Sequence, residues 1–135
     1  MIGVVVVTHG QLATELVNAT EAIVGDLPRF AAVSIGWHED TADAREEIAQ
    51  AVARVDQGQG VLILTDMFGG TPCNLAMTFL TEKKVEVITG VNVPMLIKLS
   101  GLQEQTELLA VAREMREHGR HAIWVASDLL RAEKA

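Results

Sequence analysis

The chain has a single cysteine among its 135 residues, Cys73, so no internal disulfide can staple it. No apolar run reaches the roughly 18 residues that a membrane-spanning helix needs. The N-terminus lacks the basic segment of a secretory signal, and Gly10-Gln11 close the first apolar run too early for one. Positive charge is scarce as well. Eleven Lys and Arg stand against 18 Asp and Glu, a net charge of −7, whereas nucleic-acid binders carry basic patches. There is no internal repeat, linker or low-complexity stretch. The expectation is a soluble cytoplasmic protein, a single domain over residues 1–135, with no nucleic-acid partner. At 49% hydrophobic and 21% charged, the composition is that of an ordinary globular domain with a sizeable core.

The richest local signal is the segment Val4-Val5-Val6-Val7-Thr8-His9-Gly10. A run of valines is apolar on both faces, as in a buried parallel strand. It stops at a histidine and a glycine. Val61-Leu62-Ile63-Leu64-Thr65-Asp66 repeats the pattern with an aspartate, followed by Met67-Phe68-Gly69-Gly70-Thr71-Pro72. Open α/β sheets bind ligands beyond the carboxyl ends of their strands. If the two strands are neighbours, His9 and Asp66 meet over one glycine-lined hollow.

Strand and helix patterns alternate along the chain. A first helix starts near Gln11, with Leu12, Leu16, Ala19 and Ile23 on one stripe widened by Ala13, Val17 and Val24, and Gly25 as its stop. A second strand lies within Arg29 to Ile35, and Gly36-Trp37-His38-Glu39-Asp40 is its exit loop. Asp40 or Thr41 caps a second helix that buries Ala44, Ile48, Ala51, Val52 and Val55 and ends at Gly58 and Gly60. After the strand Val61 to Thr65, Thr71 and Pro72 read as cap and first residue of a third helix lined by Leu75, Ala76, Phe79 and Leu80. A fourth strand covers Val85 to Thr89. The loop Gly90-Val91-Asn92-Val93-Pro94 leads to a short helix from Met95 to Leu99. A longer helix is expected near Glu104 to His118, with Leu108, Val111, Ala112 and Met115 inward and Gly119 as its stop. His121 to Ala126 reads as a last strand, with a short tail from Ser127. The fold class is α/β: a three-layer α/β/α domain with a mainly parallel sheet and a C-terminal strand at an edge.

Two of the three loops at strand ends run straight into helix N-termini, whose free N–H groups stabilise an anion. Gly10, Gly69 and Gly70 let backbone approach a ligand closely. A carboxylate accepting from Nδ1–H of a histidine fixes the tautomer and leaves Nε2 as a nucleophile. The parts suit phosphoryl transfer, which rests on positioning and on N–H donors around the moving oxygens. No Walker A pattern, Gly-x-Gly-x-x-Gly or nucleophile-elbow serine is present, so a nucleotide held by a P-loop is not the expected donor.

Thr8-His9-Gly10, Asp66 with Phe68-Gly69-Gly70-Thr71-Pro72, and Gly90-Val91-Asn92-Val93-Pro94-Met95-Leu96 together resemble the mannose-family enzyme IIA domain of the bacterial sugar phosphotransferase system. The resemblance runs nearly the whole chain in the same order. It implies a phosphocarrier whose histidine, here His9, takes phosphate from the histidine-containing phosphocarrier protein and passes it to a IIB subunit. A IIC/IID permease would be served indirectly, from the cytoplasm or at the periphery of the permease complex. It implies that Asp66 orients His9 and that Thr71 touches the phosphate, beside the phosphate-binding glycines Gly10, Gly69 and Gly70. It also implies a homodimer in which the C-terminal strand can be exchanged. The chain ends after one domain, so no fused IIB domain is expected, and Trp37-His38 lies outside the family motif. No cofactor or metal is called for.

Blander readings stand beside these. His9 could be a buried structural histidine, Asp66 a turn cap, and Cys73 a small core residue. Trp37, Met67, Phe68 and Met95 are core or a partner-docking patch at the active edge. Two rival functions remain open. One is a regulatory protein whose His9 phosphorylation state is read by a partner. The other, weaker, is a metal-dependent hydrolase using His9, His38 and Asp66, since metal sites need three or more converging ligands.

Overall fold

The valine run forms strand β1 (Gly3–His9), and Val4 to Val7 are fully buried. Burial of a valine side chain is worth about 1.5 kcal/mol or more, so this strand anchors the core. The computed structural model describes residues 1–102 and 107–134. The other strands are β2 (Phe30–Ile35), β3 (Val61–Thr65) and β4 (Val85–Thr89). All pair in parallel, in the order β2-β1-β3-β4. Helices α1 (Leu12–Val24), α2 (Thr41–Val55), α3 (Gly70–Met77), α4 (Val93–Ser100), α5 (Leu108–His121) and α6 (Ala126–Lys134) complete the described chain.

Alternate residues of β1 and β3 feed two separate cores, as the twofold strand period requires. Val4, Val6, Leu62 and Leu64 face α1, α4 and α5, with Met95, Leu96, Val111 and Met115. Val5, Val7, Val61 and Ile63 face α2 and α3, with Ala44, Ile48, Leu75 and Ala76. The three-layer α/β/α expectation holds. The chain leaves β1 toward β2 on one side, while β3 lies on the other. The strand order therefore reverses between β1 and β3, and the crevice at such a reversal is where open sheets bind ligands. The register pairs Val7 with Thr65, so His9 and Asp66 emerge side by side.

Several expectations need correction. The buried face of α1 is Ala13, Val17 and Thr20, with Leu16 half-buried, while Leu12, Ala19 and Ile23 are exposed. The inward face is thus rotated from the expected stripe toward Ala13, Val17 and Thr20, with Leu16 packed at its margin. The Thr20 hydroxyl is satisfied by its own helix, donating to the Leu16 carbonyl at 2.9 Å. Helix α3 begins at Gly70 with Gly69 in the cap position and no side-chain cap bond, so Thr71 is not its cap. The helix ends at Met77, so Phe79 and Leu80 lie beyond it rather than lining it, and Leu80 is exposed. Asn92 caps α4, accepting from the Met95 N–H at 3.0 Å, and the helix therefore starts two residues earlier than expected.

At the C-terminal end, α5 buries Leu108, Val111, Ala112 and Met115 as expected. The expected start near Glu104 lies outside the described residues. Gly119 is not a stop: it is buried within α5, and a Cβ there would lie 2.7 Å from the Met95 sulfur. Residues 122–125 do not form a strand, and Ile123, Trp124 and Val125 are 77%, 64% and 63% exposed. A strand exists only with a hydrogen-bonding partner, and this segment pairs with no strand within the described residues. From Ala126 the residues are strong helix formers and make α6, so the tail is not irregular.

Arg29, just before β2, is 7% exposed. Its guanidinium donates to the carbonyls of Ile2 at 2.7 Å, Leu99 at 2.8 Å and Ser100 at 3.4 Å. It thus ties the entry of β1 to the last carbonyls of α4, where a cation also suits the helix dipole. Burial lowers its pKa. Arg29→Met should cost about 2–3 kcal/mol, because the Ile2 and Leu99 carbonyls lose their donors inside the protein. Urea unfolding should show a lower midpoint with an unchanged slope, and a midpoint equal to wild type would count against this clamp.

Candidate functional site

The carboxyl edge of the sheet gathers the residues the sequence singled out. Asp66 Oδ2 accepts two hydrogen bonds from His9: from the ring Nδ1 at 2.8 Å and from the backbone N–H at 3.1 Å. Its other oxygen, Oδ1, accepts from the Met67 N–H at 3.0 Å. The carboxylate is held on three sides before any ligand arrives. The Asp66 side chain is 14% exposed and that of His9 52% exposed, so the acid is sheltered and the imidazole open to a partner. Burial pushes the Asp66 carboxyl up, but the side-chain and backbone hydrogen bonds from His9, with its electrostatic attraction, outweigh this and hold it below the usual carboxylate value.

With Nδ1 committed to the carboxylate, Nε2 is the free ring nitrogen. It faces Gly70, where a Cβ would come within 3.1 Å of both Nε2 and Cε1. Gly70 also has a φ of +82°, which favours glycine over any residue with a side chain. The first turn of α3 therefore starts next to Nε2, and its leading N–H groups have no side-chain cap. Thr71 follows, exposed in that same first turn. Gly10 and Gly69, with φ of +55° and +90°, adopt backbone conformations that favour glycine and stand in open space on the two loops.

The N-terminus of α1 is different. Gln11, in its cap position, makes no side-chain cap bond. Its first turn is capped instead from the sheet: Ala13 N–H donates to Thr8 Oγ1 at 2.6 Å, and Thr14 N–H to Ser34 Oγ at 3.4 Å. Thr8 and Ser34 are register partners on adjacent strands. Sequence reasoning missed both, since neither precedes the helix as a conventional cap does. The donors of α1 are thus partly consumed, and α3 is the better seat for an anion.

Trp37, Met67 and Phe68 are 92%, 54% and 76% exposed on loops that leave this edge. Met95 does not join them. It is 2% exposed and packs on Gly119, which removes it from a docking patch. Cys73 is fully buried in α3. His38 stands edge-on to Trp37, with ring centroids 6.1 Å apart. Among the described residues, no three His, Cys, Asp or Glu side chains group as metal ligands. No helix among them is long and apolar enough to cross a membrane.

Residues 3–115 match the family model described as PTS system fructose IIA component, EIIA-man. The chain is 29% identical over 135 residues to the fructose-specific EIIA component of the phosphotransferase system from Bacillus subtilis (strain 168), covering 99% of this chain and 92% of that protein. It is 32% identical over 127 residues to the mannose-specific EIIAB component of Escherichia coli (strain K12), covering 90% of this chain but only 39% of that longer protein. Among solved structures, the IIA protein associated with the fucose utilization operon of Streptococcus pneumoniae superposes with a TM-score of 0.83 at 26% identity, covering 95% of each chain.

Proposed function

The chain belongs to the EIIA-man family of phosphotransferase-system components, and from that premise we propose that His9 is the residue that carries the phosphoryl group. The family role is that of a phosphocarrier in the sugar phosphotransferase system, which makes this chain a phosphotransferase component. In the reading advanced here, the donor is the phosphohistidine of the histidine-containing phosphocarrier protein. His9 Nε2 attacks phosphorus, the P–N bond to the donor imidazole breaks, and that ring leaves with the electron pair. The reverse geometry passes the group to a histidine or other nucleophile of a IIB subunit. The transfer needs no cofactor. The protein would work in the cytoplasm, beside the permease that its IIB partner serves.

One observation carries this reading: the 2.8 Å bond from His9 Nδ1 to Asp66, which leaves Nε2 aimed at Gly70 and the uncapped start of α3. The carboxylate supports positive charge on the ring as the new bond forms. The α3 amides, with Gly10, Gly69, Gly70 and the Thr71 hydroxyl, would take the phosphoryl oxygens. The test is incubation with phosphoenolpyruvate, enzyme I and the phosphocarrier protein, followed by intact-mass measurement. One acid-labile phosphoryl group per chain is expected, and none under these conditions would sink the proposal.

Partners must bring a reacting group to near contact with His9, so they must cover its rim. Phe68, Met67 and Trp37 supply large apolar surface there, and a few such residues carry most of the affinity of a small interface. Phe68→Ala should raise KM for the phosphorylated carrier about tenfold, leaving the rate with a small donor such as acetyl phosphate unchanged. An unchanged KM would place docking elsewhere.

The chain should also be a homodimer. Beside β4 lies a groove of about 520 Å³ lined by Met77, Leu80, Ile88 and Ile123, with Phe68 at its rim. Such an edge invites another strand, and Ile123 to Val125 of a second copy fit it by pattern. Sedimentation equilibrium at micromolar concentration should give a dimer, and Trp124→Glu should give a monomer. A monomeric wild type would refute the claim. Because Phe68 also touches this groove, the docking test requires Phe68→Ala to keep the wild-type mass in solution.

A further inference from the structure

The Thr8 side chain is fully buried directly behind His9, and its hydroxyl is used twice. It accepts from the Ala13 N–H at 2.6 Å and donates to the His9 carbonyl at 3.1 Å. The His9 peptide is thereby pinned at both ends: its N–H goes to Asp66 and its C=O to Thr8. The next N–H, of Gly10, donates to the Ile35 carbonyl at 2.9 Å. A buried valine in place of Thr8 would fill the same space and make neither bond. Any β-branched residue would suit this position of β1. Only one with a hydroxyl joins the end of β1, the His9 backbone and the first turn of α1.

From this geometry we infer that Thr8 is a positioning residue for phosphoryl transfer: its hydroxyl fixes the His9 backbone so that Nδ1 meets Asp66 and Nε2 meets the start of α3. The inference rests on the reading that His9 carries the phosphoryl group. Thr8 touches no reacting atom and acts through His9. Misplacing a reacting group by a fraction of an ångström slows transfer without changing how partners bind. Thr20 provides the comparison. It is equally buried on α1, and its hydroxyl also bonds a backbone carbonyl, but that carbonyl is Leu16 within the helix. Losing that hydroxyl costs stability of the same kind with no link to His9.

The test compares Thr8→Val, Thr8→Ser and Thr20→Val. In the unphosphorylated protein, nitrogen-15 NMR of the His9 ring at fixed pH should show a single tautomer with a protected Nδ1–H in wild type, Thr8→Ser and Thr20→Val. In Thr8→Val the Nδ1–H signal should be lost and the ring shifts should move toward a tautomer mixture. Single-turnover transfer at saturating phosphorylated carrier should fall about tenfold in Thr8→Val with its dissociation constant unchanged. Thr8→Ser and Thr20→Val should keep the wild-type rate. Wild-type ring signals and rate in Thr8→Val overturn the inference, as does an equal loss in Thr20→Val. If Thr8→Val does not fold, Thr8→Ala against Thr8→Ser carries the comparison, and equal behaviour of those two overturns it. A wrong assignment of His9 would appear separately, as a wild-type protein phosphorylated elsewhere or not at all, while the ring signals still decide the role of Thr8.

Discussion

His9→Ala should take up no phosphoryl group in a complete relay that loads the wild-type chain once. The sequence holds four histidines, and their surroundings separate them. Among the described residues, His9 is the one whose ring reaches a carboxylate, at 2.8 Å. His121 points its Nδ1 at the Glu117 carbonyl, 2.8 Å away at the end of α5. His38 stacks edge-on to Trp37 in an exposed loop. Among the described residues, only His9 has one ring nitrogen held by a carboxylate while the other faces uncapped helix amides. The variant should fold, because the lost side chain is half exposed and fills no core. Intact mass after the relay should therefore be unshifted, with a circular dichroism spectrum like wild type. The phosphohistidine of the wild type should be the Nε2 isomer by phosphorus–nitrogen correlation NMR. Phosphate on the variant, or an Nδ1 isomer, would overturn the assignment.

The sheet and its switch point were legible because fully buried parallel strands leave little choice of residue. Val4–Val7 and Val61–Leu64 are buried on both faces and are followed, one threonine later, by His9 and Asp66, the two residues of the proposed chemistry. Readable signals stop where an element's partner is not its sequence neighbour. Thr8 and Ser34 cap α1 from the sheet, which no local motif announces. Arg29 looks like any surface cation until three distant carbonyls close around it. Helix α1 carries a broad apolar stripe, and its contact with the sheet and α4 buries Ala13, Val17 and Thr20 while Leu12, Ala19 and Ile23 stay exposed, a choice that periodicity alone does not make. Residues 122–125 have strand composition but pair with no strand among the described residues, so composition alone misassigned them. Met95 belonged to a loop motif, yet it folds inward because Gly119 leaves room for its sulfur.

Asp66→Asn should keep the fold and slow phosphoryl transfer about 10²- to 10³-fold. The amide is nearly isosteric, so binding of the carrier should change little. The loss falls on the chemical step for two reasons. An asparagine can turn its NH₂ toward the ring, which then presents Nδ1 as the acceptor and puts the proton on Nε2, the nitrogen that must attack. It also carries no charge to balance the imidazolium formed when the phosphoryl group arrives. The backbone bond from the His9 N–H needs only an oxygen and survives in one amide orientation. That orientation turns the NH₂ toward Met67 N–H, which donates to Oδ1 in the wild type, so the variant cannot satisfy all three donors. The pH dependence follows from the direction of the shift. Because the folded Asp66 carboxyl titrates below its ordinary value, its stabilising bonds to His9 are in full force above that ordinary value. They are lost as the pH falls through the lowered one. At neutral pH and well into mild acid the carboxylate therefore stays ionised, and the wild-type advantage over Asp66→Asn should persist there. Below the folded pKa the two proteins should converge, since a protonated carboxyl and an amide are both neutral. Urea unfolding of the two proteins across that range follows the convergence, and single-turnover rates at saturating phosphorylated carrier near neutrality measure the loss in transfer. A rate for Asp66→Asn equal to wild type near neutrality would remove Asp66 from the mechanism.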